Sequence, residues 1–101
     1  MQRMNRIEAV DKLKRRAGAI KAMGATSLYL FGSAAQNEAH DGSDIDVFID
    51  YDPAGRFNAF DLVGIKQFLE TELGVDVDIT TRDGLHPKLR GVIEQSAIRV
   101  F

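Results

Sequence analysis

Residues 27–51 read SLYLFGSAAQNEAHDGSDIDVFIDY, and two short apolar segments inside that stretch decide how the chain folds. Ser27-Leu28-Tyr29-Leu30-Phe31 is rich in aliphatic and aromatic residues and breaks off at Gly32-Ser33, the pattern of a buried strand that ends in a tight turn. In residues 45–51, with Asp44 just before them, Ile45, Val47 and Ile49 point one way, while Asp44, Asp46, Phe48 and Asp50 point the other. The second strand therefore has an apolar face and a carboxylate-rich face. Residues 34–42 between the strands are small and polar, with room for one short helix before the Asp41-Gly42 turn signal.

Upstream, Ile7, Val10, Leu13, Ala17, Ile20 and Met23 recur at spacings of three and four, which predicts a helix that Gly24 ends. Lys12, Lys14, Arg15 and Lys21 fall largely on its other side. Downstream of an Asp52-Pro53-Ala54-Gly55 loop, Leu62, Ile65, Leu69 and Leu73 mark a second helix, with Asn58 placed to cap it and Gly74 to end it. Val75, Val77 and Ile79 then alternate with Asp76, Asp78 and Thr80 as a third strand. Pro87 suits the first turn of a final helix through Gln95, with Leu89, Val92 and Ile93 inward, and residues 97–101 close as an edge strand. This order predicts a single α+β domain over residues 1–101, a small mixed β-sheet packed with helices on one or both faces.

The 101 residues leave no room for a second domain, and the absence of cysteine excludes a disulfide framework, a CxxC zinc site and thiol catalysis. That absence suits a reducing compartment, and with neither a membrane span nor a signal peptide in the pattern, a cytoplasmic location is expected. Thirteen basic residues against fifteen acidic ones give no broad positive field, so composition argues against direct nucleic-acid binding.

Three features carry chemistry when taken together. At Phe31-Gly32-Ser33 a strand stops at a turn whose backbone N–H groups are unpaired, where glycine permits close approach and the serine hydroxyl adds a donor, a combination suited to phosphate. The same turn serves equally as a plain serine-capped bend, and it is neither a Walker A loop nor a dinucleotide fingerprint. Asp44 and Asp46 lie two apart on one strand face, ~6.5 Å by strand rise, where oxygen-only ligands suit a hard cation such as Mg2+ or Mn2+. A solvated acidic face would look the same. Asp78 is an acid inside an apolar alternating strand, and if that strand lies beside residues 45–51 it completes a cup of three carboxylates, as metal-assisted phosphoryl displacement requires. Asp76 shares its face and competes for the role.

Gly32-Ser33, ten residues, Asp44-Ile45-Asp46 and a distant Asp78 inside Val75-Asp76-Val77-Asp78-Ile79 resemble the nucleotidyltransferase superfamily typified by DNA polymerase β, and within it the minimal nucleotidyltransferases. The resemblance spans nearly the whole chain and implies the polymerase β-like fold. It implies Mg2+ held by Asp44, Asp46 and Asp78, favouring Asp78 over Asp76, with Gly32, Ser33, Ser43 and neighbouring amides on the triphosphate of ATP. It further implies AMP transfer to an acceptor hydroxyl. Larger superfamily members continue into helical domains that hold the acceptor, so here a partner is expected to supply it: a HEPN-domain toxin whose tyrosine is adenylylated, with this chain as the antitoxin.

The chain departs from that pattern at one point. Many minimal nucleotidyltransferases carry an arginine shortly after Gly-Ser, where this chain has Ala34-Ala35-Gln36-Asn37. Lys66, Lys88 and Arg90 are the candidate substitutes, each also a plain surface charge. His40 and His86 fit no metal-ligand spacing and read as loop residues. The other readings are a non-catalytic module that silences a partner by occlusion, and a small-molecule, antibiotic-type nucleotidyltransferase whose pocket would need a dimer. Phe57, Phe60 and Phe101 suit core packing or an interface.

Overall fold

A computed structural model describes residues 6–32 and 45–101. Four strands form one mixed sheet in the order β3-β2-β1-β4, with β1 at Ala25–Phe31, β2 at Ile45–Tyr51, β3 at Val77–Thr81 and β4 at Ile98–Arg99. β1 pairs antiparallel with β2 and β4, whereas β2 and β3 run parallel. Parallel neighbours need a crossover, and helix α3 (Ala59–Leu73) supplies it.

The ends of α3 are set locally, as its sequence suggests. The Asn58 side chain accepts from the N–H groups of Phe60 and Asp61 while Asp61 accepts from Asn58 N–H, a reciprocal capping box, and Gly74 closes the helix in the left-handed region at φ 71°. Ile65, Leu69 and Leu73 are buried against the sheet together with Leu28, Leu30, Ile45, Val47, Ile49 and Val77.

The N-terminal helix is not continuous. α1 (Arg6–Arg15) and α2 (Ala17–Ala22) are separated at Arg16, which leaves the helical region at φ -103°, ψ 7°. The break lets Ala9 and Leu13 on α1 and Ile20 on α2 all reach the core. Ile7, expected inside, is 75% exposed because the buried stripe runs through Ala9 and Leu13, and two residues at ~100° each turn Ile7 away from Ala9.

The last helix also departs from expectation. α4 (Pro87–Ser96) begins with Pro87 in its first turn but buries none of its residues: Leu89 is 54% and Val92 67% exposed, and Ile93 is half-buried. The apolar side of the sheet is already filled by the other helices, and the residues that enter the core here are Leu85 before α4 and Val100 after it. β3 starts at Val77 rather than Val75, and β4 covers two residues of the expected 97–101 strand, although Val100 N–H donates to the Leu28 carbonyl and Leu28 N–H to that of Phe101. Phe57 and Phe101 pack partly into the core, whereas Phe60 is 87% exposed.

Candidate active site

Helices cover one face of the sheet, and alternation sends Asp46, Phe48 and Asp50 of β2 to the opposite face. The register places Asp46 beside Asp78 on β3, with Phe31 of β1 on its other side. Adjacent strands lie ~4.8 Å apart, so the backbones bring these carboxylates together at one end of the sheet although 32 positions separate them in sequence. Asp46 is half-buried and Asp78 exposed. Asp76 sits just outside the strand, where its carbonyl accepts the Ile45 N–H at 3.0 Å.

Gly32 closes β1 directly beside this pair. Its backbone is left-handed, at φ 75°, and a Cβ there would run into the Asp46 carboxylate. Glycine is thus required on two counts, and the turn and the acid are one packed unit. Ser33, Ser43, Asp44, His40 and the short helix expected over residues 34–42 lie outside the described residues. Among the described residues no three His, Cys, Asp or Glu side chains converge as a metal cluster. The Asp46–Asp78 pair offers oxygen donors alone, the chemistry of a hard divalent cation, and its like charges are relieved by one.

Behind the acids lies an aromatic floor. Phe48, fully buried, stacks on Tyr29 at 4.7 Å between centroids and 9° between planes, and meets Phe31 at 5.7 Å. Arg82, in the short 3₁₀ turn after β3, lies over both rings, 4.8 Å from the Tyr29 centroid and 5.0 Å from that of Phe48. It donates to both Asp50 oxygens at 2.8 and 2.9 Å and to Glu94 of α4 at 2.6 Å. These bonds, Asp50 first, raise its pKa further above an already high value. Arg82 therefore ties α4 to the sheet across the aromatic floor, in the place an apolar helix face would fill. Its partners lie 32 and 12 residues away, and no local pattern marks them.

The basic residues proposed from sequence are placed differently. Lys66 pairs with Glu70 on α3 at 3.5 Å, and Arg90 pairs with Glu94 at 3.4 Å. Glu70 also accepts the Val77 N–H at 3.0 Å, and that bond is the main cause that holds its pKa below the ordinary 4.5. Lys88 is exposed in the first turn of α4, and His86 is not a plain loop residue: its Nδ1 accepts the Lys88 N–H and caps the helix. Tyr51 donates to Asp83 at 2.9 Å, which raises the phenol pKa, while hydrogen bonds from Thr81 and Tyr51 lower that of Asp83.

Residues 8–100 match the family described as the nucleotidyltransferase domain. A Methanocaldococcus jannaschii protein named "putative protein adenylyltransferase" is 36% identical over 78 residues, 77% of this chain and 82% of that protein. A solved structure described as a "putative minimal nucleotidyltransferase" superposes with a TM-score of 0.71 at 33% identity, covering 88% of this chain and 93% of that one. The fold is shared more distantly with a chain of the complex between a tri-AMPylated HEPN toxin of Shewanella oneidensis and its MNT antitoxin, with a TM-score of 0.65 at 17% identity over 91% of this chain and 71% of that one.

Proposed function

This chain belongs to the nucleotidyltransferase domain family, and from that premise we propose that it transfers AMP from ATP to a protein hydroxyl, with a tyrosine of a HEPN-domain toxin as acceptor and the chain as antitoxin. The observation that carries the reading is the lateral pairing of Asp46 with Asp78 next to the left-handed Gly32 turn. Such an arrangement sets carboxylates and a phosphate-compatible turn at one end of one sheet face. The likeness to a named protein adenylyltransferase supports the type of transfer, and the fold shared with a toxin–antitoxin complex supports the type of partner.

In this reading Asp44, Asp46 and Asp78 hold Mg2+, which when bound neutralises charge on the phosphates. Gly32, Ser33 and Ser43 bind the triphosphate through amide and hydroxyl donors, so that the acceptor oxygen meets the α-phosphorus in line with the leaving pyrophosphate. The acceptor O–P bond forms as the bond between the α-phosphorus and the pyrophosphate oxygen breaks. Asp78, the more exposed acid, takes the hydroxyl proton in this reading. A cytoplasmic setting, where ATP is available, belongs to the same reading.

Titration calorimetry of ATP into the chain with Mg2+, with EDTA instead, and with Asp46→Asn under Mg2+ tests the site. Binding that needs both the metal and Asp46 is expected, and binding indifferent to both refutes it. Incubation of a HEPN partner with α-labelled ATP then tests the acceptor. Label on a partner tyrosine supports protein adenylylation, whereas silencing of the partner that persists in Asp46→Asn without label points to occlusion.

A further inference from the structure

The geometry points to Arg99 as the residue that holds the nucleotide's phosphate tail, in place of the basic residue missing after Gly32-Ser33. This rests on the nucleotidyltransferase reading and adds a residue to it. The terminal phosphates of a bound triphosphate extend away from the carboxylates that would hold a metal, and guanidinium forks are their usual complement. Residues 34–37 are Ala-Ala-Gln-Asn and offer no cation.

Among the described residues, several cations are committed to carboxylates, and Lys88 stands exposed in the first turn of α4 rather than on a strand of the sheet. Arg82 spends its donors on Asp50 and Glu94, Arg90 faces Glu94, and Lys66 faces Glu70. Arg15 and Arg16 pair with Asp11 and Glu72 in the helix layer. Arg99 is exposed, forms no ion pair with a described residue, and has only the Tyr29 ring 6.0 Å from its guanidinium carbon.

Its placement matters more than its freedom. β4 pairs with β1 so that Arg99 stands opposite Tyr29. Directly opposed residues of an antiparallel pair project to the same face. The Tyr29 ring stacks on Phe48, which alternates with Asp46, so Arg99 shares the carboxylate face. Along the sheet, the acids occupy β3 and β2, the Gly32 turn ends β1, and Arg99 stands on β4 beyond it. Two strands and two residue positions separate Arg99 from the level of Asp46, ~12 Å between backbones at ~4.8 Å per strand and ~3.3 Å per residue. An extended arginine and a phosphate chain lying over the Gly32 turn together span that gap. Acid, turn and cation thus follow one another in the order of metal, α-phosphate and terminal phosphates.

Calorimetric titration under Mg2+ of ATP, AMP and tripolyphosphate into the full chain, as wild type, Arg99→Gln and Arg99→Lys, tests the assignment. Arg99→Gln is expected to weaken ATP and tripolyphosphate about tenfold or more, and AMP less than about twofold, with Arg99→Lys recovering part of the loss. The exposed edge position predicts an unchanged thermal midpoint for both variants, so the affinity readout does not report unfolding. Equal weakening of ATP and AMP, or no weakening of either, overturns the role. If wild type binds no ATP, the parent reading fails together with this one; if wild type binds ATP in an Asp46-dependent way and Arg99→Gln binds it equally well, only the Arg99 assignment falls.

Discussion

Replacing Gly32 with alanine tests the packed unit at the heart of the site. The substitution imposes two separable penalties. Holding an L-residue at φ 75° costs ~1–2 kcal/mol, and the new Cβ meets the Asp46 carboxylate, which must leave its position, at a further ~1–2 kcal/mol by the scale of overpacking. The sum, ~2–4 kcal/mol, is a large part of the ~5–15 kcal/mol available to a domain. With a slope of ~1–2 kcal/mol/M, the urea midpoint falls by about 1–4 M. A double-mutant cycle with Asp46→Ala separates the penalties, since that change removes the carboxylate and leaves only the Asp46 Cβ, 3.3 Å from the added atom. Gly32→Ala is then expected to cost mainly its backbone part, giving a coupling of ~1–2 kcal/mol. Urea unfolding of the four proteins reads it directly. An equal cost of Gly32→Ala in both backgrounds would refute the contact, and with it the claim that the turn and the acid form one unit.

Phe48→Ala removes a fully buried ring that contacts Tyr29 and Phe31, and a loss of ~3–5 kcal/mol is expected by urea unfolding; a loss below ~1 kcal/mol would contradict the aromatic floor. Arg82→Met strands Asp50 and leaves Glu94 with Arg90, and should cost ~2–3 kcal/mol, with Arg82→Lys restoring little because an ammonium cannot repeat the bidentate geometry. Glu70 has a folded pKa below its ordinary 4.5, chiefly through the Val77 N–H, so its contribution is complete above that ordinary value and is lost as pH falls through the lowered one. Urea midpoints measured from neutral to acid pH should therefore fall less steeply in Glu70→Gln than in wild type. Tyr51 has a raised folded pKa through its bond to Asp83, so its contribution holds below the ordinary 10.0 and is lost as pH rises through the raised value; Tyr51→Phe should flatten that alkaline limb.

Features of this protein set by neighbours along the chain were legible in its sequence. The 45–51 alternation, the Asn58 and Gly74 ends of α3 and Pro87 in the first turn of α4 each depend on backbone geometry within a few residues, and each is seen where the pattern places it. Asp46 and Asp78 could be nominated because a charged residue inside an apolar alternation stands out. Whether they meet was not decided there, since β2 and β3 become neighbours only through the α3 crossover and the Ile45↔Val77 register. The misplacements have the same origin. An apolar stripe shows which side of a helix prefers burial, but Leu89 and Val92 stay exposed where no layer was left to cover them. The Arg82–Asp50–Glu94 link and the position of Arg99 beyond the Gly32 turn are products of strand order and register alone. Periodicity is a property of the local backbone and is written in the sequence; adjacency across the sheet is settled only when the whole chain minimises its exposed apolar surface and satisfies its buried polar groups together, which is why the tertiary structure had to decide it.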